Sequence, residues 1–159
     1  MNHDSLHDKF IARAIELAVE NVRHGGGPFG ALIVHDATLI AEGVNSVTTT
    51  NDPTAHAEVV AIREACKRLA AFDLSGCDLY SSCEPCPMCL GAIYWARPSR
   101  VYFAGTVADA EKFGFDDAFI YDEIQRRHGD RKIPMKHIAV EAALAPFRAW
   151  REKHDKIRY

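Results

Sequence analysis

The sequence predicts a three-layer α/β/α fold built on a mixed five-stranded sheet. Three observations lead there. After an initial strand pair, segments of helical and strand period alternate along the chain, which argues for a sheet covered by helices with right-handed crossovers. The first two strand-like runs are separated only by His35-Asp36-Ala37, so they form an antiparallel hairpin and the sheet cannot be all parallel. The chain has 159 residues, 48% of them apolar and 26% charged, enough for one well-filled core and a single domain over 1–159.

The elements follow in order. Apolar residues at 10/11, 14/15, 17/18 and 22 form a wide stripe at helical period from Leu6 to His24, with Ser5 or Asp4 as cap and Gly25-Gly26-Gly27 as stop. Phe29–Val34 and Thr38–Gly43 read as the hairpin strands, and Asn45–Pro53 as a polar loop. Val59, Ile62, Cys66 and Leu69 mark the buried side of a second helix over Ala55–Leu69, capped by Thr54 or Asp52. Asp78–Ser81 is a strand leading into a cysteine-rich turn. Pro87 fits only the first turn of a helix, which places a third helix over Cys86–Trp95. Arg100–Ala104 is the fourth strand, Phe115–Arg127 a helix, Ile138–Ala142 the fifth strand and Ala145–Ile157 a closing helix.

Composition excludes several classes. Nineteen basic against 22 acidic residues give a net charge of −3, without the basic excess of a typical nucleic-acid binder. No run is long and apolar enough to span a membrane, and the first ten residues lack the apolar stretch of a signal peptide, so the expected location is the cytoplasm. Five cysteines, three of them at 83, 86 and 89, suit a metal or redox role better than a secreted disulfide framework.

The chemistry concentrates in His56-Ala57-Glu58 and Pro85-Cys86-Pro87-Met88-Cys89. Two cysteines with two residues between them, in the first turn of a helix, can bring both sulfurs to one ion, and a helix N-terminus favours thiolates. His56 begins a different helix. If the two starts converge at the C-terminal ends of neighbouring strands, His56, Cys86 and Cys89 offer a donor set suited to zinc, with a fourth position left for water. Zinc can bring the pKa of such a water from about 15.7 to about 7. Glu58 reaches the same place only if substrate lies off the helix end, where it can shuttle a proton as a general acid and base. Two alternatives stay open: a closed structural site with Cys83 as fourth ligand, and a redox Cys-x-x-Cys that leaves His56 and Glu58 without a task.

These motifs resemble the cytidine-deaminase-like zinc hydrolases, whose members share a mixed five-stranded sheet with helices on both faces. The resemblance implies His56, Cys86 and Cys89 as ligands of one Zn2+ and Glu58 as proton shuttle. Within that superfamily, Asn51–Glu58, Ser82–Ala96 and Gly114-Phe115-Asp116-Asp117 resemble the bacterial guanine deaminases, as does the C-terminal tyrosine. That resemblance implies hydrolysis of free guanine to xanthine and ammonia, with Asn45 in base recognition and Asp117 helping to protonate the departing amine. Guanine's amine edge presents two donors, so its pocket needs acceptors, and Glu58, Asp117 and Asn45 can supply them. Asn45 is equally a turn residue, and Asp116-Asp117 equally a helix cap.

A flat base is held between apolar faces, which makes Phe29, Trp95 and Tyr159 pocket candidates, each with core or interface packing as the alternative. Phe147, Trp150 and Ile157 share one face of a charged terminal helix that must dock to be stable. In the guanine deaminases it resembles, this helix crosses to the partner subunit of a homodimer and its last tyrosine reaches the partner's site; docking on its own subunit is the alternative. Cys66 reads as an inert core thiol. The competing functions are deamination of tRNA adenosine, cytosine or a related heterocycle, and a zinc-stabilised interaction module without catalysis.

Overall fold

The computed structural model describes residues 3–159, with side chains from Ser5 onward. They fall into two compact units, one closing at Ala118 and the other Phe119–Tyr159. The first contains α1 (His3–Arg23), β1 (Gly30–His35), β2 (Thr38–Val44), α2 (Val47–Thr50), α3 (Ala57–Leu69), β3 (Cys77–Cys83), α4 (Pro87–Ala96), β4 (Arg100–Gly105) and α5 (Val107–Lys112). Among the described residues the sheet has four strands in the order β2-β1-β3-β4, with β1 antiparallel to both neighbours and β4 parallel to β3. The hairpin turns through Asp36 and Ala37, both at positive φ, and pairs His35 with Thr38. Two such residues give the tight turn whose twist matches the strands.

Side-chain alternation sorts the sheet into two apolar faces. Leu32, Val34 and Tyr80 meet Phe10, Ala14 and Leu17 of α1 on one side. Ala31, Ile33 and Leu79 meet Ala61 and Ala65 of α3 and Ile93 of α4 on the other. Alanines at 57, 61 and 65 make a small-residue stripe that lets α3 ride close to the sheet. A Cβ at Gly43 would stand 2.2 Å from the Ala57 carbonyl oxygen. This contact fixes the start of α3 over the end of β2.

The second unit holds the rest of α6 (Ala118–Gln125), a 3-10 turn at His128–Asp130, another at Glu141–Leu144, and α7 (Ala145–Glu152). The expected fifth strand over Ile138–Ala142 does not form: the chain is irregular to Val140 and then enters the second 3-10 turn. A strand exists only through a hydrogen-bonded neighbour, and no ladder reaches this segment, whatever the β-propensity of Ile138 and Val140. The helix expected over Phe115–Arg127 is likewise displaced. A Thr106–Asp109 capping box starts α5 earlier, Gly114 in the left-handed region follows it, and α6 begins only at Ala118. The closing helix stops at Glu152 rather than Ile157.

Other boundaries shift for local reasons. Val47–Thr50 is one helical turn inside the expected loop. α1 already includes Ser5, so Ser5 is not its cap, and a cap from the Asp4 side chain lies outside the described residues. Asp52 does not cap α3, because its Oδ1 accepts from the Thr54 amide and hydroxyl at 2.8 and 2.7 Å. His56 takes the cap position instead.

Candidate metal centre and active site

Two helix starts meet at one edge of the sheet. His56 is the N-cap of α3 and Cys86 the N-cap of α4, both in extended backbone, with Pro87 in the first turn. The strands feeding these helices, β2 and β3, are not neighbours, contrary to expectation. β1 lies between them, and because it is antiparallel its first residue, Gly30, lies at the same edge. The Gly30 amide donates to Ser82 Oγ at 3.0 Å, tying that edge together.

His56 Nδ1 lies 3.5 Å from Cys86 Sγ and 3.5 Å from Cys89 Sγ. Among the described residues, these three side chains form the group able to hold a metal ion, their ligand atoms all within 4.8 Å of one another. Cys83 is not part of it. Its sulfur faces the Thr106 carbonyl oxygen at 3.6 Å, which removes the closed four-ligand alternative. Glu58 is buried beside the group: Oε2 lies 3.3 Å from Cys89 Sγ, and Oε1 accepts from Ser81 Oγ at 3.3 Å.

Hydrogen bonds from Cys89 and then His56 pull the Cys86 thiol down to about 4. Cys89 is pushed up, first by its hydrogen bond to Cys86 and then by burial. One imidazole and two sulfurs within reach of a single point are the donors that zinc takes, so the donor set fits zinc. Burial is the leading cause that raises the Glu58 carboxyl above its ordinary value.

A cavity of about 890 Å³ opens on His56 and is lined by Phe29, Asn45, Ser82, Cys83 and Phe115 among others. Phe29 and Phe115 meet edge to face with centroids 5.1 Å apart. No Lys or Arg is among the described residues of this lining. Asn45 is buried, and its Oδ1 accepts from the Val47 amide at 3.3 Å, so it serves the turn while also facing the cavity. At the start of α6, Asp116 Oδ1 accepts the Ala118 amide at 3.0 Å. This bond spans two residues and turns the chain into α6. Asp117 Oδ1 is buried with no hydrogen-bond partner, and its carboxyl is raised chiefly by burial and then by the charge of Cys86.

Trp95 and Tyr159 are not among the residues lining this cavity. Trp95 stands on α4 with 64% of its surface exposed, outside the cavity lining. Tyr159 belongs to the second unit, where its ring meets Trp150 edge to face at 6.3 Å. Sequence reasoning missed Ser81 and Phe113. Ser81 follows the buried run of β3 at the point where alternation aims it toward α3, a signal that was available. Phe113 lines the cavity from the C-terminal end of α5, a short helix that the sequence did not reveal.

Comparison with known proteins agrees with this geometry. The profile of the cytidine and deoxycytidylate deaminase zinc-binding region matches residues 4–105. The chain belongs to that family of zinc-dependent deaminases. It is 57% identical to the guanine deaminase of Bacillus subtilis (strain 168) over 154 residues, 96% of this chain and 99% of the relative. The X-ray structure of guanine deaminase from Bacillus subtilis superposes with a TM-score of 0.94 at 56% identity, covering 100% of this chain and 99% of the other. The tRNA-specific adenosine deaminase of Aquifex aeolicus is 43% identical, but over 60% of this chain and 63% of its own. No described helix is long and apolar enough to cross a membrane.

Proposed function

We propose that this chain hydrolyses free guanine to xanthine and ammonia, with His56, Cys86 and Cys89 holding one zinc ion. The observation that carries this reading is an open three-ligand group beside a buried carboxylate, in a chain that matches a guanine deaminase end to end. Zinc, when bound, acts as a Lewis acid that makes water a nucleophile at neutral pH. Glu58 takes a proton from the attacking water and delivers it to the ring nitrogen beside C2. Its burial and raised proton affinity suit a group that must hold a proton between transfers. Asp117, also raised and lacking a hydrogen-bond partner at Oδ1, protonates the departing amine. One water enters and the C2–N bond breaks; Glu58 takes the remaining hydroxyl proton as the C2 carbonyl forms, and that proton replaces the one Asp117 gave to the amine, so xanthine and ammonia leave with both carboxyl groups restored. Asn45 accepts from the donor edge of the base, and Phe29 flanks the ring.

The cavity lining favours a free base over a polyanion. A tRNA substrate needs cations near the cleft to hold phosphates, and the described lining offers none. Measuring ammonia release from guanine, adenine, cytosine, guanosine and a tRNA anticodon stem tests the reading. Guanine should be turned over fastest; if it is the poorest of the five, the substrate assignment is wrong.

The two units act as one domain, 1–159, in a homodimer whose terminal segments are exchanged, with Tyr159 and Trp95 meeting the site or the interface across the two subunits. Exposed Phe147 and Ile157 on a unit without buried residues support an intermolecular contact. The free thiols of all five cysteines suit a reducing cytoplasm.

A further inference from the structure

Asn21, near the end of α1, occupies a place that the proposed chemistry does not use. Its Nδ2 donates to two carbonyl oxygens at once, Gly27 at 2.8 Å and Asn45 at 2.7 Å. Both amide protons are thereby spent, one on the approach to β1 and one on the exit from β2. The backbone closes round the same side chain: the Gly26 amide donates to the Asn21 carbonyl oxygen at 2.9 Å and the Gly27 amide to the Asn45 carbonyl oxygen at 3.3 Å. A Cβ at Gly26 would lie 2.3 Å from Asn21 Nδ2, and one at Gly27 would lie 2.8 Å from Asn45 Oδ1. The glycine run is therefore a close-fitting collar between Asn21 and Asn45, and not only a helix stop.

We infer that Asn21 is a positioning residue: it clamps the backbone of Asn45 and so sets where the Asn45 amide meets the purine edge. This rests on the reading of Asn45 in base recognition proposed above. Only a side chain with two donors on one nitrogen satisfies both carbonyls at this reach. Aspartate has the same shape but offers no donor and sets a negative charge against two carbonyl oxygens. Phe29 is affected through the same collar, because the Asn45 amide donates to the Phe29 carbonyl oxygen at 3.1 Å. The metal ligands lie on α3 and α4, which Asn21 does not touch through any of these bonds.

The test is a double-mutant cycle on the zinc-loaded enzyme. Asn21→Asp should raise KM for guanine and Kd for 8-azaguanine by about tenfold, the scale of one or two lost hydrogen bonds. The kcat should change less, and zinc content should stay at one per subunit. In an Asn45→Ala background the same substitution should change 8-azaguanine affinity by less than about twofold, because the group it positions is gone. An equal effect in both backgrounds overturns the inference, as does an unchanged KM. Asn21→Ala enters the same cycle should the aspartate variant fold poorly. Hydrogen exchange at residues 27–30 and 45–47 reads the clamp without substrate. Unchanged exchange in the variant sinks the clamp, whereas absence of guanine turnover in the unaltered enzyme sinks the functional reading on which its purpose rests.

Discussion

The two units of this chain differ in how they are held. The first contains every buried apolar side chain among the described residues, the last of them Ala96. The second contains none: Ile133 is 82% exposed and Phe147 70%, and its helices and turns are short. A helix of eight residues such as α7 is marginal alone, so its amphipathic face has worth only against another surface. The comparisons divide in a parallel way. The zinc-binding family profile ends at residue 105, and the tRNA adenosine deaminase matches 60% of the chain, while the guanine deaminase of Bacillus subtilis matches 96%. The first unit carries the metal ligands together with the proposed base contacts Asn45, Phe29 and Asp117; the residues beyond 105 are matched by the guanine deaminase and not by the family profile.

That contrast can be broken at several points. The largest effect belongs to Glu58→Gln, expected to lower kcat by about a thousandfold or more while zinc content, measured by atomic absorption, stays unchanged. Loss of zinc in this variant would mean that Glu58 supports the ligand group instead of the reaction. Next comes removal of the metal. A strong chelator should abolish turnover and lower the thermal midpoint, and added Zn2+ should restore both; a midpoint that does not move would separate the metal from the fold of the first unit.

Deleting 145–159 sharpens the comparison from the other side. If the segment completes the site as proposed, activity should fall on the order of tenfold to a hundredfold with zinc retained. Mixing this deletion with a full-length Glu58→Gln subunit should restore some turnover if segments are exchanged; no restoration argues that each subunit completes its own site. A smaller effect is expected from Gly43→Ala. The added Cβ meets the Ala57 carbonyl oxygen at 2.2 Å, so a loss of about 1–3 kcal/mol in denaturant-measured stability should follow, together with weaker zinc retention as α3 is pushed off β2. Trp95→Ala should be the mildest for the isolated subunit, within about 0.5 kcal/mol, since its ring is largely exposed; any larger change that depends on protein concentration locates it at a subunit contact.

Much of the first unit was legible in the residues. The stripe of α1, the hairpin around Asp36-Ala37, and the start of α4 at Pro87 are local signals that tertiary contacts reinforce. The donor trio was legible for the same reason, because each ligand sits at a helix start whose position its neighbours dictate. The second unit was read poorly. Ile138–Ala142 has strand-like residues but no partner strand, and Phe115–Arg127 has helical period but is interrupted by what precedes Ala118. The choice between Asp116 and Asp117 could not be made from an Asp-Asp pair. In the structure Asp116 accepts the Ala118 amide and Asp117 Oδ1 is buried without a hydrogen-bond partner, which supports Asp117 as the proposed acid.

By itself, the sequence determined which atoms are available for chemistry: one imidazole, two thiols and a carboxylate, each placed by a cap, a proline or a short spacing that acts over a few residues. Only the tertiary structure decided which of them converge. It set Cys83 aside, put β1 between the two strands that deliver the ligands, and joined Asn21 to Asn45 across 24 positions of chain. Local hydrogen bonds and steric limits are written in neighbouring residues. Convergence depends on the register of the sheet and the close approach of α3 at Gly43, which belong to no single segment.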